Sequence, residues 1–203
     1  DRSDDYGVRI AGNMMSSMFG DIDNDGDFDL YSSNYHLAKP RNSDRFNGNA
    51  LFRNEFPDEV FTDISLESGT NSGHWGWGTV FLDIDLDGRL DIFEVNGWPF
   101  LGAADIFLGQ SNLLFRNVDG IRFEEIAPSL GIARPATSAG ARLLDSRGLA
   151  KADIDNDGDE DVYIRNNQQP GVLFRNDYAG PNHWLQVEAR GTVSNHSAIG
   201  ARF

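Results

Sequence analysis

Three nine-residue stretches carry the residues best placed to do chemistry. Residues 21–29 read DIDNDGDFD, residues 83–91 read DIDLDGRLD and residues 153–161 read DIDNDGDED. Each fits D-x-D-x-D-G-x-x-D, a spacing that lets carboxylates at alternating positions of a tight loop converge on one point. Calcium takes six to eight oxygen ligands at roughly 2.3–2.6 Å, and such a loop can supply them. The glycine at the sixth position permits the sharp turn that brings the following backbone carbonyl onto the ion. The spacing nominates Asp21, Asp23, Asp25 and Asp29 with the Asp27 carbonyl in the first loop. It nominates Asp83, Asp85, Asp87 and Asp91 with the Arg89 carbonyl in the second, and Asp153, Asp155, Asp157 and Asp161 with the Asp159 carbonyl in the third. Arginine at 89 fits a backbone role at that position, because its cationic side chain cannot ligate a metal.

Two other readings compete for these loops. An ordinary Asp/Gly turn without an ion explains one copy, but not three copies that each keep all four aspartates. An EF-hand requires flanking helices and a bidentate glutamate at position twelve. Position twelve here is Ser32, Glu94 or Ile164, and strands follow, so the EF-hand and dockerin-like helical pairs are rejected. Magnesium holds its hydration water and demands a near-ideal octahedron, so an all-carboxylate cage favours calcium, with manganese able to enter as well. The loops hold five, four and six acids, so 15 of the 32 acidic residues fall in 27 positions. Crowding of this kind is costly unless a cation neutralises it. Three divalent ions would take the net charge of −15 to about −9 by addition of +6.

The elements that must position these loops are legible as a repeat. DIDNDGDFDLYSSN, DIDLDGRLDIFEVN and DIDNDGDEDVYIRN align, and each is followed by LFRN, at 51–54, 114–117 and 173–176. The first two units add FTDIS at Phe61 and FEEIA at Phe123. After the loops, Phe28, Leu30 and Ser32 alternate on one face, Leu90, Ile92 and Phe93 form a nearly solid apolar run, and Val162 and Ile164 oppose Tyr163. A period of two or a short apolar run indicates strand. With a strand at 77–82 and further strands at LFRN and FTDIS, each unit offers about four short strands, the content of one propeller blade. Pro128 to Arg147 is less regular and reads as a loop or a short helix.

The 39% hydrophobic content and 22 glycines between apolar runs describe a globular chain of strands and turns. The acidic balance repels nucleic acid and anionic membranes. No cysteine is present, so disulfides and thiolate metal sites are excluded. No apolar run reaches the ~18 residues of a membrane span, and no signal peptide is visible at Asp1, so an exported protein would be represented by a mature form or an excised piece.

The acidic loops followed by LFRN and F-x-[DE]-I resemble the FG-GAP/VCBS repeat of integrin α-subunit propellers and cartilage acidic protein-like proteins. The stretch NHWLQVEARGTVSNHSAIGARF from Asn182 is similar to the start of the ASPIC/UnbV segment that follows such repeats. The resemblance covers nearly the whole chain. It implies an all-β fold of propeller-like blades over residues 1–180, an ASPIC/UnbV-like start over 181–203, one calcium per loop between the first two strands of a blade, and an extracellular setting. The ligand aspartates carry over as nominated, and no catalytic residue does. Only three units are visible, whereas a closed propeller has at least four blades, so the expected object is part of a longer propeller or an assembly completed between copies by strand addition.

Enzyme activity is not expected. His36, His74, His183 and His196 form no H-x-x-x-H or H-E-x-x-H pair, and no G-x-S-x-G or phosphate-binding glycine loop occurs. Asp/Glu pairs are abundant enough to leave a glycosidase-type pair open by count, but the best-patterned aspartates are assigned to metal. The tryptophans of HWGWG are expected to pack between blades or over the second loop, the alternative being that His74 lines a pocket. Asn195-His196-Ser197 is a lone glycosylation sequon. The expected role is therefore that of a secreted, non-enzymatic calcium-binding module at a cell surface. Its partner would be a protein or glycan, or copies of itself in an extracellular filament.

Overall fold

A computed structural model describes residues 1–10, 12–35, 48–97, 110–133, 145–193 and 195–198. Among them the chain is all-β, with no helix. Eleven strands form three antiparallel sheets, none closed into a barrel. The first contains β1 (Ser16–Gly20), β2 (Asp29–Ser33), β3 (Ala50–Asn54) and β4 (Phe61–Asp63), in sequence order. The second repeats this order with β5 (Gly76–Leu82), β6 (Asp91–Asn96), β7 (Leu113–Asn117) and β8 (Phe123–Glu125). The third has β9 (Ser146–Ala152), β10 (Asp161–Asn166) and β11 (Val172–Phe174). Each acidic loop joins the first two strands of its sheet, so the repeat of the sequence is a repeat of meanders.

The sheets stack through side chains of alternating direction, as strand pleating requires. Tyr31, Leu51 and Ile64 of the first unit pack with Phe81, Ile92, Phe115 and Phe123 of the second. Leu82, Phe93, Val95 and Leu114 of the second pack with Val162 and Ile164 of the third. β6 thus sends Ile92 into one core and Phe93 into the other, which is why all six of its residues are buried and why its sequence reads as a solid apolar run. The first strands lie side by side, with β5 packed against both β1 and β9. Gly20 of β1 leaves the space that the Phe81 ring of β5 fills; a Cβ there would come within 2.6 Å of it.

Two expectations differ from the structure. The third sheet has three strands rather than about four, because no described segment pairs with the free edge of β11. On β2 the apolar side chain fully buried is Tyr31, while Phe28 lies exposed in the loop. The deciding factor is which face meets the next unit: Tyr31 faces the second sheet, and Phe28 has no sheet to face. In the third unit the expected alternation holds, with Val162 and Ile164 buried and Tyr163 opposite and exposed. The irregular segment from Pro128 begins as turns, enters β9 at Ser146, and between 134 and 144 lies outside the described residues. His36 does too. Residues 181–193 and 195–198 contain no strand.

Candidate metal centres

Each acidic loop is folded by its own carboxylates. The first aspartate accepts two consecutive backbone N–H groups: Asp21 from Asp25 and Gly26 at 3.1 and 3.0 Å, Asp83 from Asp87 and Gly88 at 3.0 and 2.8 Å, and Asp153 from Asp157 and Gly158 at 3.2 and 3.0 Å. Two residues of each loop, at its fourth and sixth positions, then take left-handed backbone. The fourth position has φ of 60° at Asn24, 53° at Leu86 and 61° at Asn156, and the glycine two residues on has 95°, 85° and 98°. A Cβ on Gly26 or Gly88 would meet nothing within 4 Å, so glycine is required there by backbone conformation rather than by space.

The ninth aspartate ties the loop to the sheet and is almost wholly buried in all three copies. One oxygen accepts the N–H of the second loop residue, at 2.9 Å from Ile22 to Asp29, Ile84 to Asp91 and Ile154 to Asp161. The other accepts the backbone N–H of the LFRN asparagine: Asn54 to Asp29 at 2.9 Å, Asn117 to Asp91 at 2.7 Å and Asn176 to Asp161 at 2.8 Å. The first, third and ninth aspartates are thereby gathered. Asp21, Asp23 and Asp29 each offer an oxygen within 4.8 Å of the others, as do Asp83, Asp85 and Asp91, and Asp153, Asp155 and Asp161.

Three carboxylates at such separations raise one another's cost of ionisation. Burial pushes Asp29 up to about 6 and Asp91 up to about 7, against the N–H donors that favour their anions. Burial, then the charge of Asp25, raises Asp23; burial raises Asp83; burial, then Asp87, raises Asp85; burial, then Asp157, raises Asp155. The Oδ1 atoms of Asp23, Asp85 and Asp159 are buried and receive no hydrogen bond. Buried acceptors without donors are costly and call for a cation or a donor. An oxygen-only donor set crowded with anions fits a hard divalent cation such as calcium.

The fifth-position carboxylates lie outside these triads. Asp25, Asp87 and Asp157 accept the backbone N–H of Asp27, Arg89 and Asp159 at 3.0, 2.9 and 3.3 Å, which leaves the second oxygens of Asp25 and Asp157 able to face an ion. Asp87 also pairs with the Arg89 guanidinium at 2.6 Å. Asp159 Oδ2 accepts the Tyr178 N–H at 2.9 Å. Trp75 and Trp77 of HWGWG lie at the other end of the sheets: Trp77 stacks on Arg147 of β9 at 3.7 Å and on Trp75 at 6.4 Å, and Trp75 meets Tyr35 at 5.5 Å. They pack between units, away from the loops.

Sequence reasoning missed the asparagines. The LFRN asparagine is a structural partner of the ninth aspartate, and the asparagine ending each fourteen-residue repeat holds the next turn, through Asn34 to the Gly48 carbonyl, Asn96 to Ser111 and Asn166 to Pro170 at 3.2, 3.0 and 2.8 Å. Their recurrence in every unit was the available signal. No family model matches the chain, and no curated protein matches it.

Proposed function

We propose that this chain is a non-enzymatic, calcium-stabilised β-repeat binding module of the extracellular space, built of propeller-like blades. The observation that carries this reading is the threefold recurrence of one geometry: three carboxylates within 4.8 Å of one another, fixed by the same backbone donors in each unit. Asp21, Asp23 and Asp29, and their counterparts in the other two loops, would hold the ion, with the second oxygens of Asp25 and Asp157, that of Asp87 once released by the Arg89 guanidinium, and the carbonyls of Asp27, Arg89 and Asp159 as further ligands. The ion supplies positive charge and a coordination shell that pin a loop otherwise repelling itself, so binding adds to stability by mass action. The likeness of the loops, LFRN and F-x-[DE]-I to FG-GAP/VCBS repeats supports the blade architecture and the surface setting, with a protein or glycan as ligand.

A thermal melt in calcium and in excess chelator tests it. A large calcium-dependent rise in Tm is expected; superimposable melts would reduce the loops to plain turns. The alternative role, a self-assembling subunit, is favoured by the apolar side chains left on the two outer units. Phe19 and Phe28 are exposed on the first, Tyr163 and Leu173 on the third, while Phe81, Phe93 and Leu114, the equivalents of Phe19, Tyr163 and Leu173, are buried between units. Light scattering in calcium separates a monomer from an assembly.

A further inference from the structure

The second and third units each reach back to the acidic loop of the unit before. Asn117, at the end of β7, donates its backbone N–H to Asp91 of the second loop at 2.7 Å, and its side-chain Nδ2 donates to the Ile22 carbonyl of the first loop at 2.8 Å. Ile22 lies between Asp21 and Asp23. The same amide holds the Leu90 carbonyl at 3.1 Å, and its Oδ1 accepts the Gly120 N–H at 2.7 Å. Gly120 in turn backs onto Asp23, close enough that a Cβ would come within 2.7 Å of the Asp23 Cβ. One residue therefore holds the second loop's buried aspartate through its backbone N–H and braces two consecutive residues of the first loop through its side chain.

The next pair of units repeats the arrangement. Asn176 donates its N–H to Asp161 at 2.8 Å and its Nδ2 to the Ile84 carbonyl, between Asp83 and Asp85, at 3.0 Å. Asn182 adds a bond from its Nδ2 to the Asp85 carbonyl at 2.9 Å. Asn54 of the first unit instead directs its Nδ2 to the Phe28 carbonyl of its own loop at 3.2 Å. Asn24 Nδ2 also crosses from the first loop to the Gly88 carbonyl of the second at 2.9 Å.

We propose that the three loops bind their cations cooperatively, with Asn117 and Asn176 as positioning residues that carry the coupling from each loop to the one before it. The proposal rests on the calcium reading above. An ion in the second loop fixes Asp91, hence the Asn117 backbone, hence the orientation of the Ile22–Asp23 peptide that a first-loop ion needs. An empty second loop leaves that peptide to be ordered at the first ion's expense. Coupling of this kind is a free energy shared between sites and is reciprocal.

The test is hydrogen exchange of the peptide spanning residues 21–29, followed through a calcium titration of the whole chain. Vacating the second loop with Asp83→Asn and Asp85→Asn is expected to raise the calcium midpoint of the first loop about fivefold or more. Asn117→Ala, which keeps every carboxylate and its own backbone N–H, is expected to raise that midpoint similarly, and the combined variant to add nothing further. A midpoint that moves less than twofold in either variant, or that moves additively when they are combined, overturns the proposal. Asn176→Ala read at residues 83–91 repeats the test on a separate link should Asn117→Ala not fold. Exchange that ignores calcium in the unaltered chain would instead overturn the calcium reading itself.

Discussion

Glu94 of β6 is fully buried and accepts the Tyr31 hydroxyl of β2 at 2.8 Å, across the boundary between the first two units. Asn49 Nδ2 reaches both groups, at 2.8 Å to Glu94 and 2.6 Å to the Tyr31 oxygen. The second carboxylate oxygen of Glu94 has no partner. The other two units hold Ser32 and Ile164 at this position, so the acid belongs to one interface only.

Burial pushes Glu94 up to about 7, with the hydrogen bonds from Tyr31 and Asn49 opposing the rise. The folded state thus holds a proton that the unfolded state releases at ordinary glutamate pH. Stability is full below the unfolded value, falls as pH rises between the two, and stays lowered above about 7. A rise of this size corresponds to about 3 kcal/mol. Glu94→Gln is expected to flatten the decline between acid and neutral pH. Urea unfolding in saturating calcium, where the loop aspartates are held ionised, reads this directly; an unchanged slope would show that Glu94 is already ionised in the fold.

Leu86 occupies a left-handed position at φ 53° that the other loops give to Asn24 and Asn156. Leucine pays a steric cost there that asparagine largely avoids. Leu86→Asn is expected to stabilise the chain by about 1 kcal/mol, in chelator as well as in calcium. A loss of Tm would mean that packing of the half-buried leucine outweighs the backbone term.

Equivalent phenylalanines should differ sharply. Phe81 is buried in the first core, whereas Phe19, at the same place in the first unit, is exposed. Phe81→Ala is expected to cost about 3–5 kcal/mol, and Phe19→Ala within about 0.5 kcal/mol. Comparable losses from both would mean that the Phe19 face is covered in solution.

The aspartates of one loop should separate by role. Asp153→Ala with Asp155→Ala is expected to remove calcium-dependent stability of the third loop and little else. Asp161→Asn removes an acceptor from a buried pair of N–H groups, and should cost about 1–3 kcal/mol even in chelator. Melts with and without calcium distinguish the two patterns; a third-loop double variant that melts like the parent in calcium would show that this loop holds no ion.

The loops and the strand count of the first two units were legible because the spacing of aspartate and glycine dictates a local turn, and alternation dictates strand. The buried face of β2 was not, since Tyr31 and Leu30 are both apolar enough to be buried and only the position of the neighbouring sheet decides between them. Glu94 was read as a failed EF-hand ligand; its burial depends on Tyr31 and Asn49, 63 and 45 residues away, and no local pattern reports contacts at that range. The gathering of the first, third and ninth aspartates was likewise half visible: the spacing names the acids, but the asparagine that fixes the ninth arrives from another strand.

The reach-back of each unit also sets a direction in time. Asn117 meets Ile22 across 95 residues and Asn176 meets Ile84 across 92. On a chain made from its N-terminus, an acidic loop emerges long before the asparagine that clasps it. The growing end therefore always carries one unfinished, self-repelling loop, and each unit is completed by its successor's synthesis.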